Sequence, residues 1–339
     1  MFLRYVHNFR AVAIVFIVAG HAAFTLGRTA EPRTMDLLAD VLDYGTVLFL
    51  FIAGFLFQHL AATFDYRRYL GRKLRNVILP YAVTLTPGIA FILWTTRNTE
   101  PHPLYRIATI LVTGLGTPDY PMWFVPMIAL FYLAAPLFIL VVRHPRLYWI
   151  TLPLLAFSLL AHRPPEIETA AIALYFLPVY LIGMWACHER DRLEPLLLRV
   201  WPWLLAVFVG AVITRFLFSP THGGDYSRSF FSGEYRLIDE MLLMKLVLAF
   251  ALIGVLQRFA SAIGTRLTPI ADISFTIFFV HVYLLYAFVL GSRYLLGDVP
   301  EGTLLTWFAL TVAVVGVTAA ATFAAKRVLG RHSRSLIGS

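Results

Sequence analysis

The stretch "NFRAVAIVFIVAGHAAF", residues 8–24, carries two ionisable groups in an apolar run, Arg10 and His21. On a helix, eleven steps at 100° make three turns and about 20°, so both side chains point the same way, about 16 Å apart. That is roughly half of a ~30 Å hydrocarbon core, which puts His21 near mid-depth if Arg10 stands at one mouth of a membrane. An imidazole there either serves chemistry, facing the bundle interior, or hydrogen-bonds a neighbouring helix. Its unperturbed pKa of about 6.5 suits a general base. Arg10 taken alone also reads as a cation that snorkels to the headgroups.

A second cluster is "YRRYLGRKLRNVILPY", residues 66–81, with five cations ahead of Pro80. Arg72 and Arg75 are three apart, hence neighbours on a helix, and an arginine pair suits phosphate oxygens through bidentate bonds. The same cluster also reads as a stop-transfer signal. His281 lies in the middle of a late apolar run, where it can orient His21, contact a substrate, carry a second proton or simply bond another helix. Asp272 and Ser274, just before it, can cap that run or bind a headgroup. Asp239 and Glu240 read as first-turn acids that suit the helix dipole. Cys187 is assigned no role, and as the single cysteine it excludes an internal disulfide and a cysteine-based metal cluster. No metal site is expected.

Elements that position these groups follow from composition. At 59% hydrophobic, 14% charged and a mean hydropathy of +0.75, the 339 residues are far from a soluble domain, which carries about 25% charge. The net charge of +9 is spread over short loops rather than one basic stripe, which argues for membrane orientation and against nucleic acid. Ten apolar spans are expected, about 9–27, 45–63, 77–96, 122–142, 147–162, 170–187, 200–218, 239–257, 271–291 and 303–327. The fold class is therefore all-α, a polytopic bundle of about ten transmembrane helices. Of the 28 Lys and Arg, 18 fall on the side of the termini and 9 on the other, with Lys245 inside a span. Both termini are thus expected in the cytoplasm. The first helix reads as retained rather than cleaved, because His21 interrupts a signal-like run. Residues 1–330 read as one membrane-embedded domain, and 331–339 as a short basic cytoplasmic tail.

Longer connections near 28–44, 97–121 and 219–238 lie on the opposite side, where binding loops are expected. "EPRTMDLLADVLDYG" has the pattern of an interfacial helix, with Met35, Leu38 and Leu42 on one side and Asp36, Asp40 and Asp43 on the other. "LYFLPVYLIGMW", residues 174–185, reads as a Pro-kinked span with Gly183 at a close helix contact.

Several separated pieces resemble acyltransferase family 3, membrane proteins that O-acylate extracytoplasmic glycans from cytoplasmic acyl donors. "RAVAIVFIVAGH" is similar to the family's arginine, ten-residue gap and histidine. "LFLFIAGFLF" resembles its second-span signature, and "RKLRNVILPY" its Arg-x-x-Arg segment before a proline. "MWFVPMIALFYLAAPLF" and "ISFTIFFVHVYLL" resemble its Trp-Phe span and its late histidine-containing span. Two positions depart from the pattern: His7 stands where the family usually has an acid, and Ala11 where it has glycine, so a partner for Arg10 must come from elsewhere. No extracytoplasmic hydrolase-like domain is expected.

The resemblance implies an O-acyltransferase of the bacterial inner membrane, with acyl-CoA, acetyl-CoA first, as donor substrate. Arg10, Arg72 and Arg75 would hold the nucleotide phosphates, the pantetheine arm would run along the first helix, and His21 would take the acceptor hydroxyl's proton. A glycan or lipid-linked sugar is the acceptor partner, with His281, Trp123 and Glu240 as candidate contacts beside Tyr120, Tyr226 and Tyr235. Direct transfer and a covalent intermediate both stay open. The alternatives are a glycan or small-molecule transporter with Arg10 and His21 lining its pathway, and a lipid- or glycan-binding scaffold. Against transport, neither an inverted repeat nor paired broken helices in matching halves is visible.

Overall fold

Backbone polar groups in hydrocarbon must be paired within the chain, so apolar runs of this length become helices. The computed structural model describes residues 3–27, 30–97, 102–115, 122–224, 238–330 and 333. Tyr120, Tyr226, Tyr235, Arg28, Arg228, Arg236 and all of the 331–339 tail except Ser333 lie outside the described residues.

The chain opens with α1 (Arg4–Thr25), α2 (Pro32–Leu42) and α3 (Gly45–Leu60). After a 3-10 turn come α4 (Tyr66–Lys73), a π-helical turn over Leu74–Ile78, α5 (Leu79–Thr95) and α6 (Pro103–Thr113). The middle holds α7 (Phe124–Leu133), α8 (Ala135–Arg143), a 3-10 segment over Pro145–Ile150, α9 (Thr151–Ala161), α10 (Thr169–His188) and α11 (Arg190–Phe218). The last part is α12 (Glu240–Arg258), the short α13 (Ala260–Ile263) and α14 (Thr268–Asp272), then α15 (Ser274–Leu296) and α16 (Leu304–Leu329). Among the described residues there is no strand, only an isolated bridge between Gly27 and Glu301.

Among the described residues, eight helical segments are long and apolar enough to cross a membrane, against the ten spans expected; a ninth is the pair α7 and α8, bent by 55°. Pro136, at the start of α8, explains the bend, since its ring clashes with the carbonyl four residues back and it donates no bond. The remaining segment, residues 145–161, is short by residue count. Its six 3-10 residues rise about 2.0 Å each and its eleven α residues about 1.5 Å, so it still reaches about 28 Å.

Contacts at the two ends of the bundle show where this segment goes. At one end Tyr5 donates to Glu194 (2.6 Å) and Tyr148 to Gln58 (2.8 Å), with Tyr148 also beside His188. At the other, Tyr175 and Tyr44 donate to Asp239 (2.6 and 3.2 Å), and the Asp239 amide donates to the Leu159 carbonyl (2.7 Å). The chain from Tyr148 to Leu159 therefore runs between the same two levels as α10. Parallel packing of α3 with α10 follows from the same contacts, Tyr44 with Tyr175 and Gln58 with His188 through Tyr148.

α10 and α3 touch along much of their length, and α10 is the most enclosed of the spans, while α11 and α16 lie at the periphery. Their close approach requires glycine: a methyl at Gly54 would strike the Tyr180 carbonyl, and one at Gly183 the Phe51 carbonyl. Gly183 thus sits at the close contact expected of it. Around this crossing Phe57, Phe131, Phe138 and Tyr180 pack with ring centroids 4.8–6.1 Å apart. Outward-facing Trp94, Trp149, Trp203 and Phe218 are exposed, as lipid-facing side chains are.

Helix α2 forms where its amphipathic pattern places it, but two of that pattern's three acids, Asp40 and Asp43, are turned inward, while Asp36 stays partly exposed. Asp40 is fully buried: its Oδ1 accepts from Arg215 Nε (3.1 Å) and the Gly223 amide (2.9 Å), and its Oδ2 lies 2.9 Å from His222 Nδ1. Asp43 accepts from the Gly224 amide (2.5 Å). Lys245, also fully buried, donates to the Asp40 and Val41 carbonyls (3.2 and 2.6 Å), closing the C-terminal end of α2. Arg215 further pairs with Glu240 and donates to the Thr221 and Gly223 carbonyls (3.1 and 3.0 Å). Asp40 of α2, Arg215 of α11 and Glu240 of α12 are therefore paired with one another at the end of the bundle away from the termini.

Candidate active site

Arg10 and His21 share one face of α1, and that face is turned to α15. Arg10 Nη2 donates to Ser274 Oγ (2.8 Å), and its guanidinium carbon lies 5.7 Å from the Phe275 ring centroid. His21 Nδ1 lies 2.9 Å from His281 Nε2, with the ring planes differing by 7°. Both pairs advance together along the two helices, so α1 and α15 run parallel. The Gly27 amide donates to the Pro300 carbonyl (3.0 Å) and joins the loops after them. Ile14 and Ile17, between Arg10 and His21 on the same side of α1, are buried, Ile17 against Gly45 of α3. His21 stands four residues before the end of α1 at Thr25, closer to that end than to the helix middle where mid-depth would place it.

The hydrogen-bond partners set the tautomers of the two histidines. His281 Nδ1 faces the carbonyls of Ile277 (2.9 Å) and Phe278 (2.8 Å), which only accept, so this nitrogen carries the proton. His281 Nε2 is then the acceptor, and His21 Nδ1 is the donor to it. This leaves the lone pair of His21 on Nε2. His281 is fully buried, whereas His21 is partly exposed, so the outer ring is the one a reactant can reach. Its placement combines two readings of His281, a helix–helix hydrogen bond and the orientation of His21.

At the other end of this face, His7 Nε2 lies 3.1 Å from Asp272 Oδ1. A carboxylate thus reaches position 7 from α14, and Arg10 takes a hydroxyl from the first residue of α15. Ser274 is therefore a partner of Arg10, not a cap of α15, which has no side-chain cap.

Other expected site residues lie apart. Arg72 and Arg75 are exposed on α4 and on the π-helical turn, and nearby Lys73 lies over the rings of Tyr132 (4.5 Å) and Tyr69 (5.4 Å). Glu240 is held by Arg215, and Asp239 caps α12 by accepting from the Leu242 amide (3.0 Å). Trp123 is 3% exposed and presents a ring face to Arg163 rather than to solvent. Cys187 is buried near the end of α10.

Sequence reasoning missed Arg163, which it counted as a loop cation. It is buried in the α9–α10 connection, with its guanidinium carbon 4.9 Å from the Trp123 ring centroid, 5.4 Å from Tyr44 and 5.9 Å from Phe176. Its Nη2 donates to Glu166 (2.8 Å). No sequence pattern announces this cage, because its rings come from three distant parts of the chain. Arg215 did leave a signal: it lies inside an expected span, where a cation requires an interior partner.

Parallel helices carrying a buried histidine behind a partly exposed one, inside an all-α bundle of apolar spans, define a multi-pass integral membrane protein with a paired-histidine site. The profile of the family described as "Acyltransferase domain", acyltransferase family 3, matches residues 3–323, and the chain belongs to that family. It is a membrane acyltransferase. No curated protein and no solved structure matches the chain at a significant level.

Proposed function

We propose that this acyltransferase moves an acyl group, acetyl first among donors, from cytoplasmic acyl-CoA to a hydroxyl of an extracytoplasmic or lipid-linked glycan in a bacterial inner membrane. The observation that carries the reading is the histidine pair, whose tautomers leave an unprotonated Nε2 on the partly exposed ring. His21 takes the acceptor hydroxyl's proton as its oxygen attacks the thioester carbonyl, the C–S bond breaks, and coenzyme A leaves as the thiolate that recovers the proton. His281 holds the His21 ring and shares its Nδ1 proton, so it is a positioning residue. A general base of this kind contributes about 10²–10⁴-fold.

Arg10, Arg72 and Arg75 recognise the donor's phosphates from the side of the termini, taken as cytoplasmic. Two of the nine cations counted on the far side, Arg163 and Arg215, are interior, so the charge asymmetry that supports this orientation is larger than loop counting suggests. With Ile14 and Ile17 buried between Arg10 and His21, the pantetheine arm passes beside the α1–α15 contact, not along it.

The test follows radiolabel from [¹⁴C]acetyl-CoA into the glycan and lipid-linked fractions of membrane vesicles, with calorimetric titration of the purified protein in parallel. His21→Ala should abolish transfer and keep acetyl-CoA binding, while Arg10→Ala and Arg72→Ala/Arg75→Ala should weaken binding. Absence of binding by the folded wild type to both acetyl-CoA and succinyl-CoA would refute the donor assignment and favour transport or scaffolding.

A further inference from the structure

A guanidinium that is 4% exposed in a wall of aromatic rings is costly to keep, since a buried charge loses hydration that its partners only partly replace. Only the arginine of the Arg163–Glu166 pair is buried, and replacing a buried charge by an apolar side chain is often neutral or stabilising, so stability alone gives no reason for Arg163. Orientation in the membrane gives none either, because that needs only an exposed cation.

The backbone around Arg163 is strained as well. Among the described residues, the two that are not glycine yet have positive φ are Tyr44 (φ 59°) and His162 (φ 58°). Tyr44 lies under the Arg163 guanidinium, and His162 immediately precedes Arg163 in the chain. His162 also has ψ 169°, a combination open almost solely to glycine. Strain of about 1–3 kcal/mol per residue persists where the surroundings over-determine a geometry, and it gathers at functional sites. Here both strained positions fix one cation.

A relay of ring contacts links that cation to the histidine pair. Trp123 packs on Phe176 (6.1 Å) and Phe124 (6.3 Å), Phe124 on Phe278 (5.5 Å), and Phe278 on His281 (6.2 Å). From the other side, Gly45, next to Tyr44, lies against Ile17, one turn before His21 on α1. Attack of a hydroxyl on a thioester moves an electron pair onto the carbonyl oxygen, which a preorganised hydrogen-bond donor or cation stabilises.

We propose that Arg163 is the electrophile of the transfer reaction, donating to the thioester carbonyl oxygen and stabilising the tetrahedral oxyanion. The assignment rests on the acyl-CoA reading above. The hydroxyl oxygen bonds to the carbonyl carbon, its proton passes to His21 Nε2, and the negative charge gathers on the oxygen facing Arg163. Collapse re-forms the carbonyl and expels the thiolate. Glu166 and the ring faces of Tyr44, Trp123 and Phe176 hold the guanidinium still, so it needs no reorganisation when charge develops.

The test is infrared difference spectroscopy of carbonyl-¹³C acetyl-CoA bound to the full-length wild-type protein, with vesicle transfer assays of Arg163→Gln and Arg163→Lys. The bound carbonyl stretch should fall below its value in free acetyl-CoA. Arg163→Gln should restore the free value and slow transfer by about 10²–10³-fold, the usual effect of removing one oxyanion donor, with calorimetric affinity for acetyl-CoA kept. Arg163→Lys should recover part of both. A bound carbonyl at its free frequency in the wild type, or full transfer by Arg163→Gln, overturns the assignment. The wild-type spectrum decides even if both variants misfold. Failure of the wild type to bind acetyl-CoA overturns the donor reading and this assignment with it, whereas bound donor with an unshifted carbonyl overturns this assignment alone.

Discussion

His281 accepts from His21 across the α1–α15 contact while its own Nδ1 is tied to the Ile277 and Phe278 carbonyls. The inner ring is thereby locked by backbone, and it locks the outer one. His281→Ala removes the acceptor for His21 Nδ1, so the reactive ring is free to rotate and change tautomer. Transfer should fall, but by less than the roughly 10²–10⁴-fold expected for His21→Ala. His281→Gln, whose side-chain carbonyl can still accept from His21 Nδ1, should recover part of the loss with a displaced pH–rate profile. Equal losses for Ala and Gln, with an unchanged profile, would reduce His281 to a packing residue.

Asp40 and Arg215 are joined inside the protein, where neither can be rehydrated. Asp40→Asn leaves Arg215 buried with less compensation and should destabilise the protein by about 3–5 kcal/mol. An Asp40→Leu/Arg215→Met double variant removes both charges and should regain much of that loss, limited by Glu240, His222 and the loop amides that lose a partner. Thermal unfolding in detergent, followed by loss of monodispersity, measures both. A double variant no better than Asp40→Asn would show that the loop contacts around Gly223 and Gly224, not the ion pair, carry the stability.

Much of the architecture was legible in the residues because hydrocarbon leaves the backbone no alternative to helix, and the ten apolar runs are helical, one as a bent pair and one partly 3-10, although α11 begins ten residues before its expected start. The shared face of Arg10 and His21 was equally readable, since an eleven-residue spacing depends only on helix geometry. What that face meets was not, because periodicity says nothing about which helix lies opposite. For the same reason the sequence left Ser274 and Asp272 open as caps or headgroup contacts, when they lie against Arg10 and His7, and did not show that Asp40 and Asp43 turn inward. Arg163 was the largest omission: its role depends on rings from residues 44, 123 and 176, which only the fold brings together.

Gly54 and Gly183 let α3 and α10 meet backbone to backbone. Gly54→Ala and Gly183→Ala should each force the helices apart along the contact that aligns Tyr44 with Tyr175. Because backbone atoms cannot yield as side chains do, each should cost more than the about 1–3 kcal/mol of ordinary overpacking. Gly210→Ala, at a glycine with open space around its α-carbon, serves as the control and should be tolerated. Melting temperatures of the three variants, measured side by side in one detergent, give the comparison; equal values would place the tight contact elsewhere.

Ser274 holds Arg10 by a single hydrogen bond at the start of α15, while Asp272, two residues earlier, reaches His7 on the turn of α1 before Arg10. If Arg10 recognises the donor's phosphates, its orientation depends on that hydroxyl. A hydrogen bond to a charged group is worth about 1.5–3 kcal/mol, an upper bound on the effect because part of Arg10 reaches solvent and water can replace the lost partner. Ser274→Ala should therefore weaken acetyl-CoA binding by roughly tenfold or less, with Arg10→Ala the stronger loss. Adding Ser274→Ala to Arg10→Ala should change affinity little further, because the two act through one contact. Calorimetric titration of the two single variants and the double gives the coupling, and fully additive losses would show that Ser274 reaches the donor independently of Arg10.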